Sequence, residues 1–290
     1  MKNAPCKNTL QIKQKRYLAG RLFALLLLFC ISPFSRVFYS MTVMGVYSKM
    51  NENTSLLKSE DIELSVPGGL STLRSDWYPF VMTFEANSGF RRFTGDDSLS
   101  LTILYNFPAF SPTKGCSRLY DTFSPYYNSF YGVYLVKDTD GGIYGFTQQS
   151  DGTLYPDASA VAEVPKYDFW KLVLSEFGLP SANAVFDWNI TEISEPLTYA
   201  GEDGFYRMDA TLTVNGASHE YNGFTQSYLQ YGKPNYPVTD PLAPVTMYGR
   251  IYGIFLEDKQ VSLFFYIVAA DKDVLEECDK EILSESNLNY

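Results

Sequence analysis

Residues 61–290 are predicted to form a single α+β domain, a mainly antiparallel sheet with two or three packed helices. An N-terminal signal or anchor segment precedes it. Three observations carry this prediction. Aromatic residues, which suit β-sheets, are abundant, with 23 Tyr and 21 Phe among 290 residues. Segments that alternate apolar and polar side chains are separated by Asp-Gly and Asn-Gly turn signals. The last forty residues spell a hairpin followed by a helix with one apolar stripe, an order that covers a sheet face.

The chain opens on a basic leader, residues 1–50. Lys2, Lys7, Lys13, Lys15, Arg16 and Arg21 precede ten apolar residues, Leu22–Ile31, and no acidic residue appears before Glu52. A transmembrane helix needs about 20 predominantly apolar residues, and Ser32-Pro33 ends this run. A weaker apolar stretch, Val37–Tyr47, is cut off from it by Arg36, which at mid-bilayer costs roughly 2.5–3.5 kcal/mol on insertion scales. Leu22–Ile31 has the length of a secretory h-region, about 7–15 residues. Its cleavage signal is poor: bulky Phe29 precedes Cys30, and a cut after Ser32 would fall before Pro33. Three readings stand: an uncleaved membrane anchor, a cleaved signal, or a misassigned start with translation beginning at Met41, Met44 or Met50. Under either of the first two the domain is extracytoplasmic, and residues 51–60 are a polar tether.

Charge is distributed unevenly. Eight of the 23 basic residues fall within residues 1–51, leaving 15 basic against 33 acidic in the remainder, a net of −18. That surface is unsuited to nucleic acid, whose binding rests on Lys and Arg neutralising phosphates. Membrane contact is therefore expected only through the N-terminal segment. Of the cysteines outside the leader, Cys116 and Cys278 can pair in an oxidising compartment, closing a long loop. Cys278 equally fits the apolar face of a helix, and two buried free thiols are the alternative.

In chain order, Ile62–Val66 reads as a short strand ended by Pro67-Gly68-Gly69. Pro79–Glu85 and Leu99–Tyr105 are stronger strands, with Asp96-Asp97 in their connection. Phe107–Tyr127, with three prolines and many aromatic residues, reads as a loop packed by its own side chains. A structured loop of this kind can carry function, so Tyr120, Tyr126 and Tyr127 are the expected ligand-binding residues. Tyr126–Val136 is a strand apolar on both faces. Asp138–Gly142 and Asp151-Gly152 predict two successive hairpins. Asp138, Asp140 and Gly141 match half of a calcium loop but lack its distal bidentate glutamate.

Trp170, Val173, Leu174 and Phe177 share one face of a helix predicted over Tyr167–Phe177, with Gly178 at its cap. Phe186–Ile193 and Tyr206–Val214 alternate as strands. Asn215-Gly216 predicts a tight hairpin returning through Ala217–Leu229, and Gly232–Pro244 is a loop. Val245–Leu256 and Val261–Ala269 form the final hairpin, apolar on both faces and so covered on both sides. Asp271 caps a helix whose apolar stripe is Leu275, Cys278 and Ile282. The order of residues 160–285 resembles the sandwich folds of small exported lipoproteins of the photosystem P-subunit type, a likeness of architecture that transfers no functional residue.

The residue inventory excludes much chemistry. A Ser-His-Asp or Cys-His pair would have to use His219, the one histidine, which follows the predicted Asn215-Gly216 turn. Structural zinc needs four Cys- or His-type ligands, and residues 52–290 hold two cysteines and one histidine, so no metal is expected. Neither a P-loop nor a dinucleotide fingerprint is present, and no cofactor is expected. Paired carboxylates, as in glycoside hydrolysis, remain open: Asp76-Trp77-Tyr78 and Asp187-Trp188 set an acid beside an aromatic ring. The expected function is a non-enzymatic binding module for an envelope protein or glycan. The alternative is a carboxylate-dependent hydrolase of envelope polysaccharide.

Overall fold

A computed structural model describes residues 7–31, 33–110, 117–177, 179–216 and 243–290. The leader forms two helices, α1 (Lys7–Ile31) and α2 (Pro33–Glu52), which touch at their corner, where Phe29 meets Phe38 edge-on at 5.8 Å. A single turn, α3 (Leu56–Ser59), and β1 (Glu63–Ser65) follow. Then come β2 (Met82–Glu85), α4 (Asn87–Thr94), β3 (Leu99–Asn106) and β4 (Phe130–Asp138). The middle of the chain holds β5 (Phe146–Gln148), β6 (Leu154–Pro156) and α5 (Ala158–Leu172). The rest comprises β7 (Phe186–Ile193), β8 (Leu197–Tyr199), β9 (Glu202–Asn215), β10 (Pro244–Leu256), β11 (Val261–Ala269), α6 (Lys272–Glu281) and β12 (Asn287–Asn289).

The fold is α+β. Its centre is one antiparallel sheet in the order β2-β3-β4-β11-β10-β9-β7, with β8 added beside β9. Two small ribbons, β1–β12 and β5–β6, complete the strands. Strand β11 explains why the sheet is covered on both sides: all nine of its residues are buried. Phe264, Tyr266 and Val268 point to the first face, where α4 and α5 lie. Leu263, Phe265, Ile267 and Ala269 point to the second, under α6 and α3. Strand β4 alternates in the same way, Phe130, Tyr134 and Val136 against Tyr131, Val133 and Leu135. A period of two sorting large apolar residues onto both faces is the pattern of a fully covered strand.

Residues 51–60 lie against the sheet. Leu56 is buried on the second face, and its amide donates to the Thr102 hydroxyl at 2.9 Å. Helix α2 runs beside β2, with Met44 in the first-face core. The Thr83 amide donates to the Ser48 hydroxyl at 2.8 Å and the Glu85 amide to the Asn51 side chain at 3.4 Å. The helix thus supplies acceptors to the outward donors of an edge strand, which would otherwise be open to pairing.

Several sequence expectations are corrected. The turn at Asp138–Gly142 does not make a hairpin, because β4 is already flanked by β3 and β11, so β5 pairs with β6 instead. Asn215-Gly216 is not a hairpin turn either. Both edges of β9 are occupied, by β7 and β10, and the Asn215–Pro244 pair continues the ladder with the Gly216 amide donating to the Ala243 carbonyl at 2.8 Å. Asn215 itself accepts from the Val185 amide at 2.6 Å. The predicted return strand Ala217–Leu229 lies outside the described residues. Helix α5 begins nine residues before the predicted start, because Asp157 caps it by accepting from the Ser159 and Ala160 amides. The connection between β2 and β3 contains a helix, α4, rather than only a loop. It ends on Gly95 at φ +77°, the left-handed cap that glycine adopts freely.

Candidate functional site

Two cavities on the first face share one buried carboxylate, Asp168. The helix that carries it is unusual, since Pro165 lies inside α5. Proline has no amide hydrogen, so the Val161 carbonyl loses its partner four residues on. The Tyr134 hydroxyl replaces it, donating to Val161 at 2.7 Å, and the Tyr144 hydroxyl donates to Ala160 at 2.6 Å. Tyr134 on β4 and Tyr144 in the turn before β5 thereby fix α5 against the sheet and aim Asp168 inward.

Asp168 is 2% exposed, and the Tyr266 hydroxyl donates to it. Burial pushes its carboxyl up to about 7, with the Tyr266 hydrogen bond opposing that rise. Desolvation of a carboxylate in an apolar setting accounts for the direction. The Tyr167 hydroxyl, also buried, is pushed up to about 12, chiefly by desolvation and next by the Asp168 charge.

The outer cavity is a cleft of about 400 Å³ between α2, β2, α4 and α5. Its walls include Tyr47 and Phe84, whose rings lie 5.4 Å apart, and Tyr167. Gly89 permits α4 to approach: a Cβ there would come within 2.2 Å of the Tyr167 hydroxyl. Glu85, Ser88, Arg92 and Lys171 form the exposed rim. Glu85 accepts from the Asn87 side-chain amide. Among the described residues neither Arg92 nor Lys171 makes an ion pair. The inner cavity, of about 20 Å³, is lined by Tyr105, Phe107, Tyr120, Phe130 and Phe169 together with Asp168. It has the room of one water molecule.

The three tyrosines predicted as a ligand surface do not form one. Tyr120 is 1% exposed and lines the inner cavity on the first face. Tyr126 is buried on the second face, edge-on to Trp77 at 5.5 Å with the Arg118 guanidinium 5.7 Å from its ring centre. Tyr127 is half-buried. The sheet therefore separates Tyr120 from Tyr126, and the exposed ring of this loop is Phe123. Cys278 is a buried free thiol, while Cys116 and His219 lie outside the described residues. Among the described residues, no group of three or more His, Cys, Asp or Glu side chains gathers to hold a metal.

On the second face Arg250, 5% exposed, is fully engaged. Its Nε donates to Asp209 at 2.6 Å, Nη1 to Asp279 at 2.7 Å and Nη2 to Glu276 at 2.8 Å. The Tyr252 hydroxyl adds a bond to Asp279 at 2.9 Å, and its ring stacks on Tyr199 at 3.8 Å. This cluster ties α6 to β9 and β10.

Helix α1 makes a third distinct region. Leu18, Leu22, Phe23, Leu25, Leu26, Leu27, Leu28 and Phe29 are each at least 41% exposed. No helix among the described residues is long and apolar enough to cross a membrane. No family model, curated protein or solved structure matches the chain.

Proposed function

We propose that this protein is a non-enzymatic binding module held at a membrane surface by α1. The observation that carries the reading is the exposure of a helix that is apolar on every side. Successive residues of a helix turn by about 100°, so Leu22, Phe23 and Leu25 to Leu28 point in all directions. A helix built to pack on one protein partner needs one apolar stripe, whereas an all-round apolar helix belongs in an apolar phase. Lys15 and Arg21, with the other basic residues ahead of them, suit anionic headgroups. The ten-residue run rises about 15 Å, roughly half the hydrocarbon core, which is the depth of an inserted anchor.

The test is flotation of the full chain on vesicles of phosphatidylcholine and phosphatidylglycerol. The wild type is expected to float. A variant carrying Leu25→Glu and Leu26→Glu, both at exposed positions, is expected to stay at the bottom with unchanged thermal unfolding. Wild-type protein remaining at the bottom would sink the reading. Protease added to intact cells then decides the side, degrading the domain if it lies outside as the basic leader predicts.

One observation favours a second reading, hydrolysis of a polysaccharide. Asp168 holds its proton to about pH 7, a trait of a general acid, and Glu85 borders the same cleft. Polysaccharide cleavage abolished by both Asp168→Asn and Glu85→Gln would establish it.

A further inference from the structure

The domain behind the leader carries a net charge of −18 over residues 52–290. In that acidic setting Arg92 on α4 and Lys171 on α5 stand on the rim of one cleft, with no ion pair between either of them and any described residue. Two cations at a single concavity, against one rim carboxylate, make that rim a positive spot on an otherwise acidic surface. Of the two carboxyl groups that share the cleft, Asp168 is buried and holds its proton toward neutrality, which leaves Glu85, an acceptor from Asn87, as the one rim carboxylate against two cations. Below the rim the walls turn apolar and aromatic, with Tyr47, Phe84, Ile103 and Tyr167. The volume of about 400 Å³ falls within the range of small-molecule sites.

We infer that this cleft binds a small amphipathic anion, an aromatic or aliphatic body carrying a single carboxylate. The body lies between the Tyr47–Phe84 pair and Tyr167, and the carboxylate sits at the rim between Arg92 and Lys171. A guanidinium and an ammonium from two different helices suit one carboxylate: the arginine fork engages it in two hydrogen bonds and the lysine adds a point charge. A polyphosphate is disfavoured, because the chain has no Gly-rich loop to cradle one. Helix α2 supplies Tyr47, so the leader that meets the membrane also completes the site. The inference rests on reading the domain as a binding module, and is independent of whether α1 enters a bilayer.

The test uses the full chain in lipid nanodiscs, titrated by calorimetry with empty nanodiscs subtracted. The probes are naphthalene-1-acetate and its neutral isostere naphthalene-1-acetamide. The acetate is expected to bind about ten- to a hundredfold more tightly, the range of a hydrogen bond to a charged partner. Arg92→Gln combined with Lys171→Gln is expected to bring the two probes to equal affinity. Both substitutions are at exposed positions and leave the core untouched. Ser88→Trp, which fills the mouth from α4, is expected to abolish binding of both probes. Equal affinity of the two probes for wild-type protein, or a preference that survives the double substitution, overturns the anion assignment while leaving a binding cleft in place. Absence of binding by either probe overturns the cleft as an anion site and leaves the membrane-held module, which flotation tests separately, in place.

Discussion

On the first face of the sheet the buried acid Asp168 has one hydrogen-bond partner among the described residues, Tyr266, and borders two cavities. On the second face the buried base Arg250 shares its guanidinium among Asp209, Glu276 and Asp279. Both groups are withdrawn from water, but only one is electrically complete. Burying a charge is tolerable when it is paired and hydrogen-bonded, and otherwise the group gives up its charge. Arg250 takes the first course, and its guanidinium is held more firmly protonated than an ordinary arginine by those three carboxylates, against the cost of burial. Asp168 takes the second, holding a proton toward neutrality. The Arg250 cluster is a structural clamp that lines neither of the two cavities at Asp168 nor the cleft of about 620 Å³ under α3 and β1 on its own face, whereas Asp168 opens onto a cleft with rim charges of its own.

The largest test of this contrast is Arg250→Ala. It strands three carboxylates around a buried gap and is expected to cost about 3–5 kcal/mol, the penalty for breaking a buried ion pair from one side. Urea unfolding measures it, and a loss under about 1 kcal/mol would show that the clamp is solvated after all.

Next is Asp168→Asn, which keeps an acceptor for the Tyr266 hydroxyl while removing the titration. The folded carboxyl titrates at about 7, whereas in the unfolded chain it ionises near pH 4. On raising the pH the unfolded state gives up its proton first, so wild-type stability is expected to fall between about pH 4 and 7, by no more than about 4 kcal/mol. The variant is expected to lack that decline, with its advantage in Tm growing through the window and levelling off above it. Parallel Tm profiles for the two proteins would remove the assignment of Asp168 as an acid protonated in the fold.

The smallest effect is a matched pair of helix caps. Asp157→Ala on the first face and Asp271→Ala on the second each remove a side chain that accepts from helix amides. Each is expected to cost about 1 kcal/mol. Equal losses would place the difference between the faces in their buried groups, and unequal ones would place part of it in the helix ends.

The strands and the final helix were legible because their signals are local. Strand β11 is apolar throughout, β9 alternates from Tyr206 to Val214, and Asp271 precedes the Leu275, Cys278 and Ile282 stripe. Turn signals were legible only as turns. Asp138–Gly142 and Asn215-Gly216 do reverse or release the chain, but which strands become neighbours depends on which edges are free, and no dipeptide records that. Helix α4 was hidden by its own composition, since Asn87, Ser88 and Gly89 are poor helix formers. Its helical state is held by Phe90 in the core, by the Asn87 side chain accepting from Leu101 at 2.6 Å and by Arg91 donating to Leu99 at 2.6 Å.

The cleft was invisible for the same reason, because it is assembled from α2, β2, α4 and α5. One trace was present: Asp168 stands between Tyr167 and Phe169, an acid inside an aromatic stretch of a predicted buried helix. The aromatic loop misled in the opposite direction. Rings as large as Tyr120 and Tyr126 are valuable as core material, and a loop rich in them is most simply a loop folded inward.

The two hydrogen bonds from β2 to Ser48 and Asn51 change what the leader is for. In assembly terms α2 is the closing piece of the sheet, taking the place that an eighth strand would occupy along the main path. A domain prepared without residues before Asn53 presents the Thr83 and Glu85 amides bare, beside the exposed Phe84 ring that Tyr47 had covered. Two such domains have matching edges and every physical reason to pair through them. Where the chain is cut therefore governs whether that edge is open: severed ahead of α2 it stays capped, and severed behind α2 it is bared for pairing.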